Sequence, residues 1–346
     1  MDTKSANEER VLREATVALE APGLSVQVKQ GPHSGGDSRR RADMIISVEH
    51  GNQRIEYRPK VKRNLRPATL GALIQQLRML YGRPLLVADY ITPPMAERLR
   101  ELGVEFIDTA GNAWLHEPPL WIWVSGRRQQ ETAESKPQPT GRAFQASGLR
   151  VLFALLCKPE IVDRPYREIA RLAGVAHGTV GWVMAELPKL GYTATYRKKR
   201  VLVKPERLLI EWAEAYARTL SPKLLLATFS TDDTQRWIEQ DATKFGFNLS
   251  GEVAGARVTG YLKPATITLY GDDLDSRFLL RFQLRKAKQG NVEIMKRFWA
   301  FDVKEPLAPE PLIYADLLAT GDTRCIETAA LIYEKLVDGF QKADRT

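Results

Sequence analysis

The chain has 346 residues, of which 44% are hydrophobic and 27% are charged, and a formal net charge of +9. This length and this ordinary composition predict a folded chain of two or three domains, because domains commonly hold about 100–200 residues. We expect a cytoplasmic protein without a disulfide or a structural metal: no apolar run reaches the roughly 18 residues of a spanning helix, the start lacks a signal-peptide core, and the two cysteines and four histidines show no zinc-ligand spacing.

Residues 1–128 carry a pattern of alternating helices and strands. The predicted elements, in chain order, are a helix (8–20), a strand (43–49), a turn at Gly51 and Asn52, a strand (53–61), a helix (67–80), a strand (84–88), a helix (93–102) and a strand (104–107). A β-hairpin followed by such alternation predicts an α/β sheet with covered faces.

The order of these elements resembles the PD-(D/E)XK nuclease fold. That resemblance implies Mg²⁺-dependent phosphodiester cleavage by Asp43, Glu56 and Lys62. If Lys62 is the motif lysine, however, the acid expected two residues earlier is replaced by Lys60, and a lysine there repels Mg²⁺. We therefore expect an inactive restriction-endonuclease-like domain and keep a divergent Mg²⁺-dependent nuclease as the alternative.

A strip of basic residues begins within the second predicted strand of this domain and continues beyond its end. Its members are Arg58, Lys60, Lys62, Arg63 and Arg66. They could make accessory contacts to nucleic acid, or they could form a solvated hairpin edge whose cations block pairing with another chain. The sequence leaves both interpretations open.

A polar turn follows the last predicted strand, at Asp108–Asn112. Its Asp, Gly and Asn residues could serve a site, but such residues also make turns by bonding to their own backbone. We expect a turn.

Residues 129–142 are rich in Pro, Ser, Thr, Gln and charge, which is typical of a linker. Beyond it we place a second domain over 143–220 and a third over 221–346. Residues 136–210 hold 14 Lys and Arg against 5 Asp and Glu, so their excess equals the whole net charge. This concentration indicates a nucleic-acid partner.

The second domain has the pattern of a winged helix-turn-helix. We predict a first helix over 147–156, a second over 165–173 and a turn over 174–176. A third helix, 177–190, would be the recognition helix, interrupted late by Pro188. Its predicted inward residues are Val180, Val183, Met184, Leu187 and Leu190; its predicted outward residues are His177, Gly178, Thr179, Gly181, Trp182 and Lys189.

A β-hairpin over 192–203 follows, with four cations at its tip. The expected DNA contacts are His177, Thr179, Trp182, Lys189, Arg197, Lys198, Lys199 and Arg200. Thr179 and Trp182 would touch bases or sugars, whereas the four tip cations would contact phosphates. The alternatives are that the tip charges only solubilise a turn and that Trp182 belongs to the packing.

The third domain is predicted to be α+β. A helix (206–220) enters it, followed by a strand, a helix (232–246), a run of strands and a final helix (324–341). The fold class is therefore a multidomain combination of α/β and α+β domains.

Several short sequence segments of this last region resemble AbiEi-like antitoxins of type IV toxin–antitoxin systems. They are found at 251–254, 261–264, 267–270, 290–293 and 312–327, and the most specific is LIYADLLATGDTRCIETA. The resemblance implies a winged helix that represses its own promoter and a C-terminal domain that opposes a nucleotidyltransferase-like toxin, often without a stable complex. Asp316, Asp322 and Glu327 match the family-like stretch, and we expect structural roles for them, with Asp322 capping the last helix.

These observations predict a non-enzymatic regulator without a cofactor that binds double-stranded DNA sequence-specifically. A homodimer would occupy a palindrome. The extra domain over 1–135 distinguishes the chain from short antitoxins. Besides the nuclease, two alternatives remain: a protein-interaction antitoxin whose DNA binding is secondary, and a transcription factor of a mobile element without any toxin.

Overall fold

A computed structural model describes residues 3–19, 24–30, 44–51, 53–118, 120–128, 141–303 and 305–344. The chain divides into two compact units: the first comprises Met1–Pro67 and Leu73–Gln138, and the second comprises Ala68–Ala72 and Pro139–Thr346. Helices and sheets occur together in both, which confirms the predicted mixture of element types. None of the helices in the described ranges combines the length and the apolar character that crossing a membrane requires.

The part of the chain before residue 128 contains three helices and seven strands in its described residues. They are α1 Thr3–Leu19, β1 Leu24–Gln30, β2 Met44–His50, β3 Gln53–Lys62, α2 Leu70–Arg78, β4 Pro84–Ala88, α3 Pro93–Glu101, β5 Phe106–Asp108, β6 Ala113–Glu117 and β7 Leu120–Val124. The strands form one sheet in the order β1 to β7. Pairing is parallel from β3 to β5 and antiparallel on either side.

The core of this unit lies between α1 and one face of the sheet. Val11, Leu12 and Ala15 of α1 pack with buried strand residues such as Tyr57 and Val87. Because successive side chains of a strand point to opposite faces, Arg58, Lys60 and Lys62 lie on the other face of the sheet from Tyr57.

Three strands of this sheet were not predicted from the sequence. β1 carries polar residues at alternate positions and lies at the sheet edge, so its apolar signal is weak. β6 and β7 follow the polar turn at Asp108–Asn112, where the predicted pattern stopped. The predicted helix over 67–80 is a 3-10 turn at Pro67–Thr69 followed by α2.

The second unit contains eight further helices and seven further strands in its described residues. The helices are α4 Ala146–Cys157, α5 Tyr166–Ala173, α6 His177–Leu190, α7 Pro205–Ala215, α8 Gly251–Thr259, α9 Ser276–Arg281, α10 Glu310–Ala319 and α11 Thr323–Asp344. The strands are β8 Thr193–Tyr196, β9 Lys199–Leu202, β10 Leu225–Ser230, β11 Asn248–Ser250, β12 Ile267–Gly271, β13 Arg285–Lys286 and β14 Val292–Lys296. β8 and β9 pair alone, and the other five form a sheet in the order β11-β12-β14-β10-β13.

The predicted helix over 232–246 is wrong. Two short 3-10 segments, Gln235–Glu239 and Thr243–Phe245, replace it. The Asp233 carboxylate accepts hydrogen bonds from the backbone of the first segment, and the Asp241 carboxylate accepts one from the second. Aspartates that bond to nearby backbone groups compete with a continuous helix.

Two other predictions for this unit need correction. The expected run of strands is interrupted by α8 and α9, and α10 lies between the last strand and the final helix. The helix expected over 206–220 is α7, which passes at Tyr216 into a π-helical turn ending at Leu220.

Candidate nucleic-acid interface

Three helices build the framework of the candidate interface. α4 is apolar almost throughout, and its buried residues pack on α5 and α6. α5 ends at Gly174, whose backbone φ of 61° lies in the left-handed region that glycine adopts most readily. The Val175 N–H donates to the Ala170 carbonyl over 3.0 Å, which closes the turn before α6 begins at His177. The two helices and their turn thus have the predicted bounds within one residue.

α6 has one buried face, made by Val180, Val183, Met184 and Leu187. Leu190, predicted to be inward, is 41% exposed because the helix ends there, beyond its last contact with the core. Pro188 does not break the helix, contrary to the prediction. It lies in the last turn, where a missing N–H costs one hydrogen bond, and Gly191 closes the end with a φ of 75°.

The other face of α6 is open around its two glycines. A β-carbon added at Gly178 or Gly181 would meet no atom of the protein within 4 Å. Packing inside the protein therefore gives no reason for glycine at either position. His177 and Lys189 are exposed, whereas Thr179 and Trp182 are half-buried.

The beginning of α6 carries no acidic residue in its first turn and no side-chain cap at Ala176. The helix's acidic residue, Glu186, accepts a hydrogen bond from the Ala143 N–H over 2.9 Å. Backbone N–H groups and the positive end of the helix dipole at such a terminus attract an anion. The open face of α6 is thus compatible with a phosphate near His177.

The turn of the β8–β9 hairpin consists of two cationic residues. Tyr196 pairs with Lys199, so Arg197 and Lys198 form a two-residue loop. Their φ values are 47° and 68°, a combination that such loops usually give to Asn and Gly. The left-handed conformation is unfavourable for a long side chain, and residues kept in it often mark a functional site.

Arg200 differs from the other three hairpin cations. Its backbone N–H donates to the Asp163 carboxylate over 2.9 Å, and its guanidinium donates to the Arg164 carbonyl over 2.9 Å. The guanidinium also lies 4.8 Å from the centre of the Tyr166 ring. Arg200 therefore braces the hairpin, a role that the sequence did not reveal because its partners lie more than 30 residues away.

Tyr166 links the hairpin to the beginning of α6. Its ring centre is 6.2 Å from that of His177 on one side, and Arg200 packs on it on the other. This chain of contacts brings the basic hairpin and the open end of α6 to one surface. Sequence analysis did not single out Tyr166, because a tyrosine at the start of a helix is not unusual.

Farther along the second unit, Asp316 lies at the centre of a buried polar network. Its carboxylate accepts hydrogen bonds from Tyr216 over 2.9 Å, from Tyr270 over 3.1 Å and from Ser250 over 2.6 Å. The two tyrosine hydroxyls are themselves 2.5 Å apart. Burial raises the pKa of Asp316 to about 6, although these hydrogen bonds oppose the rise. The network ties α10 to β11, β12 and the π-helical turn, which fits the structural role expected of Asp316.

The other two acids of the family-like stretch also make internal contacts. The Asp322 carboxylate accepts hydrogen bonds from the N–H groups of Arg324 and Cys325, which confirms it as the cap of α11. These bonds and the adjacent Arg324 keep the pKa of Asp322 below its usual range. Glu327 accepts a hydrogen bond from the Tyr261 hydroxyl over 2.8 Å.

A comparison with known protein families matched part of the second unit. Residues 200–338 match the model of a family described as transcriptional regulator, AbiEi antitoxin, type IV TA system. We refer to residues 200–338, which resemble this family, as the AbiEi segment. This match confirms the resemblance to AbiEi-like antitoxins, which are transcriptional regulators of type IV toxin–antitoxin systems. No curated protein and no solved structure matched the chain.

The AbiEi segment covers about two fifths of the chain. It begins at Arg200 in β9 and ends in α11, so it includes the Asp316 network. Helices α4 to α6 lie before it, as does the whole first unit. The match is consistent with a transcriptional regulator, and the predicted DNA-contacting residues other than Arg200 lie before it.

The residues predicted for a nuclease fall partly outside the described chain. Asp43 is not among the described residues. Glu56 is exposed on β3 and pairs with Arg54 over 2.5 Å. Lys62 lies six positions farther along the same strand, and it is half-buried. The described residues contain no group of three metal-ligating side chains.

The basic strip occupies β3 and the residues after it. Strand alternation places Arg58, Lys60 and Lys62 on one face of the sheet, whereas Arg63 and Arg66 follow the strand end. Of the five, Arg66 is exposed and the others are half-buried. The strip is thus not wholly a solvated edge.

The turn at Asp108–Asn112 is a hydrogen-bonded structural element, as expected. The buried Asp108 carboxylate accepts bonds from the N–H groups of Ile91, Ala110 and Asn112 and from the Asn112 amide. Burial raises its pKa although these bonds oppose the rise. The Asn112 side chain in turn bonds to both backbone groups of Arg127.

Proposed function

We propose that the chain is a transcriptional regulator that binds double-stranded DNA sequence-specifically through a winged helix-turn-helix over residues 143–220. The observation that carries the proposal is the shared surface of the open α6 face and the basic hairpin, joined through Tyr166. Two helices joined by a tight turn and followed by a hairpin are the parts that such a domain uses.

In this proposal α6 enters the major groove. Gly178 and Gly181 allow the helix backbone to approach the bases, and Thr179 and Trp182 contact base edges or sugars. His177 and the N–H groups at the start of the helix bind a phosphate. Lys189, at the other end of α6, contacts the neighbouring backbone.

Arg197, Lys198 and Lys199 contact phosphates or the adjacent minor groove from the hairpin. These contacts supply affinity without sequence information. Arg200 holds the hairpin in place and adds its charge. We further propose that a homodimer reads a palindrome whose half-sites lie about one helical turn apart.

The number of phosphates that the hairpin neutralises can be measured. We expect a plot of log Kobs against log salt concentration for duplex DNA to be steep. Each lysine or arginine removed from the tip should make the slope shallower by about one, because one condensed counterion is no longer released. Fluorescence anisotropy at several salt concentrations would compare wild type with Arg197→Ala, Lys198→Ala and Lys199→Ala. Slopes that remain equal would contradict phosphate contacts at the tip.

The AbiEi segment supports a second part of the proposal, an antitoxin role. We propose that the chain represses its own promoter in the cytoplasm and opposes a nucleotidyltransferase-like toxin through residues 221–346, without requiring a stable complex. Co-expression with a neighbouring toxin gene tests this: growth should be restored by wild type and by a hairpin variant that no longer binds DNA. Rescue that fails in both would count against the antitoxin role, whereas co-purification would favour the protein-interaction alternative.

The order of elements from α1 to β4 is the one observation that favours a nuclease-like first domain over residues 1–128. Lys60 argues against Mg²⁺ binding there, so we propose an inactive domain whose basic strip makes accessory contacts to nucleic acid. A plasmid-nicking assay with and without Mg²⁺ tests for activity, with Asp43→Ala as the control. Mg²⁺-dependent nicking that this substitution abolishes would replace the inactive domain with an active nuclease.

A further inference from the structure

Four aromatic side chains share one face of the β6–β7 hairpin in the first unit. They are Trp114, His116, Trp121 and Trp123, and we refer to them as the aromatic edge. Cross-strand pairing places Trp114 opposite Trp123 and His116 opposite Trp121. The residues between them point to the other face and are largely buried in the core.

Three rings of the aromatic edge contact one another in series. His116 stacks on Trp114 with ring centres 5.9 Å apart and planes 6° apart, and it meets Trp121 edge-on at 5.4 Å. Trp121 is 74% exposed, so packing within the protein does not explain its size. His116 and Trp121, at the outer end of the series, are both exposed.

Cations accompany these rings. The Arg100 guanidinium lies 4.9 Å from the centre of the Trp123 ring. Strand register places Arg58 in line with Pro84 at the start of β4, and this line continues across the sheet toward His116. Four strand spacings separate β3 from β7, or about 19 Å.

A further exposed ring lies at the same end of the sheet. Tyr81, in the loop before β4, is 91% exposed, and the next residue, Gly82, packs against the Arg58 side chain. Nearby acids are already engaged: Glu97 pairs with Arg100, and Glu117 pairs with Arg83. Arg100 thus lies on one ring of the aromatic edge, and Arg58 lies beside the loop that carries Tyr81.

We propose that the aromatic edge binds the unpaired bases of single-stranded nucleic acid. Single-strand binding surfaces combine aromatic rings, on which successive bases stack, with cations that follow the backbone. Of the large apolar side chains exposed in the described residues at this end of the sheet, only Met79 is not aromatic.

This site is separate from the proposed winged helix-turn-helix and has a different electrostatic character. The cations near the aromatic edge are almost balanced by paired acids, so stacking should dominate its binding energy. Binding there should therefore depend less steeply on salt than duplex binding at the hairpin does. This difference makes the two sites distinguishable in one protein.

The test uses the full chain with Arg197→Ala, Lys198→Ala and Lys199→Ala, which removes the hairpin contacts to duplex DNA. The probe is a fluorescein-labelled mixed-sequence strand about 12 nucleotides long, within the size range of known single-strand sites. Anisotropy should show binding of this strand and little competition from its blunt-ended duplex. Adding Trp121→Ala should raise Kd about 5-fold to 100-fold, the loss expected for one stacked base.

Two further variants control this experiment. Trp121→Phe keeps a flat ring and should bind within about threefold of its parent, since stacking tolerates the exchange of one ring for another. Val28→Ala removes an exposed apolar side chain at the opposite edge of the same sheet, on β1, and should leave Kd unchanged. Far-UV circular dichroism should be the same for all, because the side chains removed are exposed.

Several results would overturn the proposal. One is a Trp121→Ala protein that binds the single strand within twofold of its parent. Another is duplex that competes as well as single strand in every variant. A third is a change in sedimentation on Trp121→Ala with unchanged affinity for the strand, which would assign the aromatic edge to contact with a second copy of the chain. None of these outcomes depends on whether the regulator binds its promoter.

Discussion

At the scale of single residues, the hairpin turn combines an unfavourable backbone with a favourable charge. Arg197 and Lys198 both have positive φ, at positions where Asn and Gly are the usual residues. A sequence search finds the four cations but not this conformation, because Arg and Lys do not signal a two-residue loop. The conformation suggests that charge was retained at a cost in stability.

Replacing the two residues should separate these effects. We expect Arg197→Asn with Lys198→Gly to raise the free energy of unfolding by about 1 kcal/mol, since both new residues accept positive φ. The same double variant should weaken duplex binding, because two phosphate contacts are lost. Urea denaturation and anisotropy measure the two quantities. A variant that is no more stable than wild type would refute the strain argument.

Asp316 makes stability depend on pH. Its folded pKa of about 6 lies above the ordinary value of 3.8, so the folded state holds this proton more tightly than the unfolded state does. The resulting stability is fully present below pH 4 and is lost as pH rises from about 4 to 6. This contribution to the free energy of unfolding is about 3 kcal/mol.

Asp316→Asn should remove this dependence. The variant keeps the shape of the side chain, so the difference between its unfolding free energy and that of wild type should change between pH 4 and pH 6 and then level off. Asp338→Asn, at an exposed position on α11, serves as the control. A wild type and an Asp316→Asn protein whose stabilities run parallel across this range would contradict the assignment.

The residues differ in how far sequence alone could predict them. The cap at Asp322 is local, and the Gly-Asp turn before a helix indicated it. The partners of Asp316 lie 46 to 100 residues away, and those of Arg200 lie 36 and 37 residues away. Contacts at such separations are decided by tertiary packing.

At the scale of elements, helix periodicity gave reliable predictions where it was long and uninterrupted. α4, α5, α6 and α11 were located within a few residues, because α4 is apolar almost throughout and the others each bury one face. The failed helix over 232–246 has a lower apolar content than these helices, and Asp233 and Asp241 divert its backbone hydrogen bonds. The edge strand β1 was not predicted because polar residues alternate with apolar ones along it, so its apolar signal is weak.

The open face of α6 gives a prediction at this scale. Gly181→Ala should raise the free energy of unfolding by about 0.5–1 kcal/mol, because alanine is the better helix former and meets no neighbour. If the helix backbone approaches DNA at this point, Gly181→Val should weaken duplex binding at least tenfold while the protein still folds. Thermal unfolding and anisotropy provide the two readouts. Tight binding by the valine variant would show that the glycine faces no ligand.

At the scale of the whole molecule, charge is distributed unevenly along a chain whose two units have separate cores. The excess of Lys and Arg over residues 136–210 equals the net charge of the protein. This excess, the open helix face and the basic hairpin occur in the second unit, while the aromatic edge belongs to the first. Composition could locate the charge, but only the fold brought Tyr166, His177 and Arg200 together.

The most direct test of the account is a gel-shift titration with the DNA upstream of the chain's own gene, in excess nonspecific competitor. Wild type would be compared with Arg197→Ala, Lys198→Ala and Lys199→Ala combined, leaving the bracing Arg200 intact. The matched control replaces Lys223, Lys335 and Lys342, three exposed lysines elsewhere in the second unit, by alanine. We expect a discrete shift that survives competitor for wild type and control and is lost in the hairpin variant. No shift by wild type at low salt, or an equal shift by all three proteins, would contradict the account.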